Sequence, residues 1–345
     1  SSAGDCSPAL SISRSHTARL PALVSGLAAR TPSTLLSRWI RSLATGTVSA
    51  SGTLGQIIPP SIVLVLIGDI VGVPVGDLFM GAVLPGMVLV GLYILYILIV
   101  AFIKPGWAPP IPKEELAALT PAIMLKKFSR ALFPPLFLMV AVLGSIFAGV
   151  ASPTEAAGVG AVGATLLTIA NKKFSMKILQ EVMHSTMQLT CMVFIILVGA
   201  ASFGLVFRGM GGDHLVREFL GGIAHHHGQW TVLFIVMGII FVIGFFLDFI
   251  EITFIHVPVL APIMIEFGFD PAWFCILIAV NLQTSFMTPP FGFSLFYLKA
   301  VTPPEISTGD IYRGIIPFVL FQLIGLLIVV MFPQLVTWLP SVVFR

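Results

Sequence analysis

Two stretches of this chain combine small hydroxyl-bearing residues with paired prolines, a composition suited to holding ions rather than to breaking bonds. The first is Ser51-Gly52-Thr53-Leu54-Gly55-Gln56 ahead of Pro59-Pro60. The second is Asn281-Leu282-Gln283-Thr284-Ser285 ahead of Pro289-Pro290. Each leads into an apolar run, 62–67 and 293–298. Proline removes a backbone donor and crowds the preceding turn, so each doublet should interrupt a helix. Sodium takes hard oxygen ligands, which unwound carbonyls and hydroxyls supply without a fixed charge. Ser51, Thr53 and the Gly55 and Ile58 carbonyls are the candidates at the first interruption. Asn281, Thr284, Ser285 and Thr288 are those at the second. The helix resuming after each doublet would turn its N-terminal amides toward an anionic substrate.

Asp248 and Glu251, in FFLDFIEITFIHVP, share one face if that stretch is helical. Carboxylates at membrane depth usually face a bundle interior or a cavity. They either orient an ion or substrate, or cap the turn of a hairpin. His256 in the same stretch reads as a packing or interfacial residue. Pro258 and Pro262 argue against one straight helix, so a re-entrant hairpin is expected over 245–265.

The elements that must position these groups are membrane helices. The chain is 57% hydrophobic and 10% charged, against roughly 25% charged in a soluble domain. Apolar runs at 78–103, 131–150, 156–170, 187–207, 231–247 and 314–339 each approach the length of a span. With the two broken segments and 249–265 they suggest about nine crossings or half-crossings. Broken backbone in lipid is tolerated only inside protein or beside a water-filled cavity. Paired interruptions in two halves of a chain point to the ion and substrate site of a secondary transporter.

The net charge of +3 is scattered through loops and carries no nucleic-acid signal. Cys6 forms no close pair with the others, and Cys191 and Cys275 lie in apolar runs, where they read as buried packing residues. No metal site or enzyme motif appears. His225-His226-His227 reads as a solvated loop, as does Gly209-Met210-Gly211-Gly212. Residues 1–41, rich in Ser, Ala and Arg, read as a divergent or mis-assembled N-terminal segment. Residues 42–103 form the end of a first repeat with its broken helix. Residues 104–130 form an amphipathic connector lying at the membrane surface, and 131–345 a second repeat with hairpin and broken helix. Basic residues in the connector and at Lys172, Lys173 and Lys177 place those loops on the cytoplasmic side. Ser152-Pro153-Thr154-Glu155 falls on the opposite face.

From Leu43 onward the chain resembles the large membrane subunit of tripartite ATP-independent periplasmic (TRAP) transporters. The stretches that carry this are LATGTVSASGTLGQIIPPSIVLVLIGD, ASPTEAAGVGAVGATLL, FFLDFIEITFIHVPVLAPI and NLQTSFMTPPFGFSLFYLKAVTP. The Asp-Phe-Ile-Glu wording is most similar to the branch labelled for mannitol or chloroaromatic compounds. The resemblance implies an all-α, inverted-repeat, elevator-type permease of the bacterial inner membrane, coupled to sodium and needing no other cofactor. It implies two protein partners: a periplasmic binding protein that delivers an organic acid, and a small membrane subunit. By position, Ser51, Gly52, Thr53, Gly55, Ile58, Pro59 and Pro60 would line the first broken helix. Asn281, Thr284, Ser285, Thr288, Pro289 and Pro290 would line the second, and Asp248 would lie in the hairpin. Residues 1–41 do not resemble the helices that precede LATGTVSASGTLG in the family, so part of one ion site is expected to be missing. The competing classes are a passive channel, disfavoured by long aliphatic runs with few lining charges, and a non-transporting membrane scaffold or fragment.

Overall fold

The computed structural model describes residues 34–108, 121–289, 292–303 and 306–343, and among these the only regular elements are helices. They divide into two compact units. One comprises the described residues up to Ile99 together with Ser185 onward; the other is Val100–His184.

In the first unit, α1 (Thr34–Thr53) gives way to a short 3-10 turn (Leu54–Gln56), and α2 (Ile62–Val71) resumes after the prolines. Ser61 starts α2 by accepting the Leu64 amide at 3.3 Å. Gly72, at φ +80°, ends it in the left-handed conformation that other residues resist. Then α3 (Val75–Ile103) runs on with Pro85 inside it. On the far side of the sequence, α13 (Thr308–Met331) lies against α1 with backbones in contact. A Cβ on Gly46 would sit 2.1 Å from the Gly314 carbonyl oxygen, and one on Gly314 would sit 2.0 Å from that of Ser42. Helices in lipid gain association energy from such close approach, which only small residues permit.

The core of this unit is α11 (Pro271–Met287), in which every residue from Trp273 to Ser285 is buried. It is enclosed by α13, α8 (Gln229–Ile243), α2 and α12 (Phe293–Val301), which pack around it. Asp270 caps its start, accepting the Trp273 amide at 2.8 Å. The Trp273 indole donates to the Val329 carbonyl at 3.0 Å, pinning α11 to α13.

In sequence, α6 (Met176–Gly209), α7 (Gly212–His227) and α8 come before α11, and α7 and α8 are packed together and joined by Gly228 at φ +83°. The stretch expected not to be straight is two helices, α9 (Phe249–Ile255) and α10 (Val257–Glu266), bent by 57° at His256. In the second unit, α4 (Pro121–Phe147) packs on α5 (Pro153–Ala170). Ser152 and Glu155 form a reciprocal capping box at the start of α5.

Several sequence expectations need correction. The boundary at residue 130 falls inside α4, which continues through Pro134 and Pro135 without a break. The connector's residues 109–120 lie outside the described residues, as do residues 1–33 and Cys6. The run 314–339 is two helices, because Phe332-Pro333 ends α13 before α14 (Gln334–Val343) begins. The histidine tract is the exposed last turn of α7 rather than a loop. Cys275 is buried, but Cys191 is exposed on α6. By length and composition α3, α6 and α13 suffice to cross a membrane, and the bent pair of α9 and α10 fits either one broken crossing or the re-entrant hairpin expected there. The other apolar helices, α2, α8, α11 and α14 among them, are shorter.

Candidate functional site

The two interruptions meet. Ser49, one turn before Thr53 on α1, donates its hydroxyl to that of Ser294 in the first turn of α12 at 3.1 Å. The Thr53 hydroxyl lies 2.8 Å from the Met287 sulfur at the end of α11. Thus the last turns of α1 touch both flanks of the second break, and groups far apart in sequence border one region.

Each break satisfies its own backbone in part. At the first, the Leu54 carbonyl accepts from the amides of Ile57 and Ile58, at 3.1 and 2.9 Å. The Ser61 hydroxyl donates to the Gln56 carbonyl. At the second, Ser294 donates to the Phe286 carbonyl at 3.1 Å, and the Gly292 amide to the Thr288 carbonyl at 3.0 Å. Gly292 cannot carry a side chain here, since a Cβ would lie 2.8 Å from the Phe286 oxygen.

The hydroxyls share one orientation. Thr53 donates to the Ala50 carbonyl at 2.9 Å, Thr284 to Val280 at 2.7 Å, Ser285 to Leu282 at 2.9 Å and Thr288 to Thr284 at 2.7 Å. Ser51 does the same toward Val48 at 3.2 Å. A hydroxyl that spends its single proton on its own helix keeps lone pairs for another donor or a cation. Asn281 is engaged differently, donating its amide to the Met237 carbonyl of α8 at 2.8 Å.

Of the residues singled out in sequence, Thr53, Pro59, Asn281, Thr284 and Ser285 are buried, and Ile58, Thr288 and Pro289 half-buried. Ser51, Gly52, Gly55 and Pro60 are exposed, and neither Gly52 nor Gly55 has any atom near where a Cβ would stand. Pro290 lies outside the described residues. Asp248 is half-buried at the start of α9, where it accepts the Phe249 amide at 2.8 Å while Glu251 accepts the Asp248 amide at 3.2 Å. The two carboxylates therefore form a capping box, one of the two roles open to them. The turn preceding α9 touches the second break through Gly244, whose Cβ would lie 2.2 Å from the Ser285 hydroxyl.

Sequence reasoning passed over Ser49, Ser61, Met287 and Ser294, which join or shape the breaks. It named Gln283 in the second polar stretch without giving it a role, and passed over Gln322 and Tyr93; both glutamines are fully buried, on α11 and α13, and the Tyr93 hydroxyl donates to Gln322 Oε1 at 2.6 Å. Isolated polar residues inside apolar runs were the available signal. A cleft of about 350 Å³ lies elsewhere, along the α9–α10 bend, with Arg208, Asp213 and Arg217 among apolar walls. Arg217 is held there by Glu266 at 2.7 Å.

Residues 23–335 match the sequence model of the tripartite ATP-independent periplasmic transporter, DctM component. A C4-dicarboxylate TRAP transporter large permease protein of Pseudomonas aeruginosa is 30% identical over 306 residues, covering 88% of this chain and 69% of that protein. An ectoine TRAP transporter large permease protein of Halomonas elongata is 28% identical, covering 91% of this chain and 71% of its own length. A sialic acid TRAP transporter permease protein of Haemophilus influenzae is 27% identical, covering 86% of this chain and 46% of its own.

Proposed function

The chain belongs to the DctM-component family of TRAP transporters, the large permease subunits, and from that premise we propose that it carries sodium-coupled uptake of an organic acid across a bacterial inner membrane. The observation that carries this reading is the meeting of the two interruptions through Ser49–Ser294 and Thr53–Met287, bordered by hydroxyls whose protons are already committed. Oxygen lone pairs gathered beside broken backbone suit a dehydrated alkali cation, because they replace its water without adding net charge.

The helix ends support the substrate class. α2 and α12 both restart after proline, and a helix N-terminus favours an anion. A carboxylate fits that field. Relatives named for C4-dicarboxylates and sialic acid accord with an acid, and one named for ectoine widens the range of organic solutes within the family. Asp248, one turn of chain from Gly244 at the second break, would add a negative charge that helps retain the cation. The partners are a periplasmic binding protein that presents the acid and a small membrane subunit that braces the permease. Movement of the paired interruptions as one body, in the manner of an elevator, is the transport step this assignment implies.

Reconstitution in proteoliposomes with both partners tests the assignment. Loaded binding protein and an inward sodium gradient together should drive accumulation, and either alone should not. Equal, downhill flux with potassium in place of sodium and without the binding protein would mean a channel instead.

A further inference from the structure

Gln283 is fully buried, and among the described residues neither its amide nitrogen nor its carbonyl oxygen has a hydrogen-bond partner. Gln322 is also fully buried, with its amide nitrogen unpartnered and its oxygen taken by Tyr93. Buried polar side chains in folded proteins are almost always paired, with protein or with ordered water. The Thr253 hydroxyl and His256 Nδ1, on α9 and at its bend, are unpartnered too, but the two glutamines are set apart by converging on α3.

They border the same wedge. Gln283 lies one turn before Met287 and two turns after Ile276, so the three form one stripe of α11. Both flanking residues face α3: Ile276 reaches the place where a Gly81 Cβ would stand, 2.9 Å away, and the Met287 sulfur lies 4.0 Å from the Tyr93 hydroxyl. Tyr93 in turn binds Gln322 on α13, one turn from where Gly325 packs on Leu89 of α3. The stripe carrying Gln283 and the residue carrying Gln322 thus converge on the same length of α3, beside the second break.

The unmet groups define what fits. Each amide nitrogen offers two N–H donors and the Gln283 oxygen offers an acceptor, while Tyr93, Thr53 and Met287 around them are neutral. A cation would leave the N–H groups unmet, and a buried anion would have no opposite charge among these residues to offset its desolvation. An oxygen that both accepts and donates can give each amide at least one hydrogen bond. We propose that Gln283 and Gln322 form a closed binding site for a neutral hydroxylic oxygen, supplied by an ordered water or by a hydroxyl of the transported solute. The site stands on packing and only its solute-bound form rests on the transport reading, so a site that holds water, or none, would leave the sodium-coupling reading untouched.

X-ray radiolytic footprinting of the intact protein in detergent tests it, because hydroxyl radicals formed from a bound water oxidise the side chains beside it. Met287 should be oxidised despite its burial, whereas Met264, equally buried on α10, should stay silent. Labelling of Met287 should fall several-fold in Gln283→Met, which keeps the side-chain length and removes both polar atoms. Suppression of that labelling by gluconate but not by hexanoate would identify a solute hydroxyl as the occupant. Indifference to both would identify water. A Met287 as silent as Met264 in the unmodified protein overturns the proposal, and so does a rise in melting temperature for Gln283→Met, which is the result expected for amides that bind nothing.

Discussion

The Ser49 and Ser294 hydroxyls are hydrogen-bonded at 3.1 Å across 245 positions of sequence. That one bond brings the last turns of the helix before the first proline pair onto the helix that follows the second. Side chains this close can be bridged, since a disulfide needs Cβ atoms roughly 3.5–4.5 Å apart. Ser49→Cys with Ser294→Cys should therefore cross-link in mild oxidant. A protease site placed in the exposed turn 171–175 would separate the two halves on a reducing gel and leave them joined on a non-reducing one. Two free fragments under oxidising conditions would break the proposed juxtaposition.

Thr288→Val should raise the sodium concentration that half-saturates uptake while leaving assembly intact. The hydroxyl donates to the Thr284 carbonyl, so the valine removes that bond together with the lone pairs left for the ion. Loss of one such interaction in a buried polar site costs about 1–3 kcal/mol, or roughly 5- to 150-fold in affinity. Thr337→Val on α14, whose hydroxyl reaches only the Pro333 carbonyl at 3.4 Å, is the control. An unchanged sodium response in proteoliposomes would take Thr288 out of the ion site.

Asp248 separates charge from capping. Asparagine is as good an N-cap as aspartate, whereas alanine forfeits about 0.5–2 kcal/mol. Asp248→Asn should keep the melting temperature and lose sodium-driven uptake, while Asp248→Ala should lose both. Full uptake in the asparagine variant would reduce this residue to the capping box it makes with Glu251.

Gly46 and Gly52 lie less than two turns apart on α1 and should respond in opposite ways. Gly46→Ala drives a methyl to 2.1 Å from the Gly314 carbonyl, so α1 and α13 must separate and the detergent-extracted protein should aggregate. Gly52→Ala meets nothing within 4 Å and should gain up to about 1 kcal/mol from helix propensity. Size-exclusion profiles and melting curves of the pair decide it; normal behaviour of Gly46→Ala would mean that α1 and α13 do not touch backbone to backbone.

What the sequence determined by itself was the class of molecule and the position of each break, because both are local. Apolar runs of about 20 residues mark membrane helices, and a proline pair disposes a helix to break, as at Pro59-Pro60 and at Pro289 though not at Pro134-Pro135 inside α4; the family resemblance, resting on contiguous motifs, was legible for the same reason. Tertiary structure decided everything that depends on which helix lies beside which. It paired Ser49 with Ser294, set Thr53 against the Met287 sulfur, and enclosed Gln283 while leaving Ser51 and Gly55 exposed. It also placed Cys191 on an exposed face and Cys275 inside, though both sit in similar apolar runs. In a soluble protein an apolar face turns inward and a polar face outward, so periodicity reveals burial. In lipid both faces of a helix are apolar, and the sequence carries little record of which one meets protein.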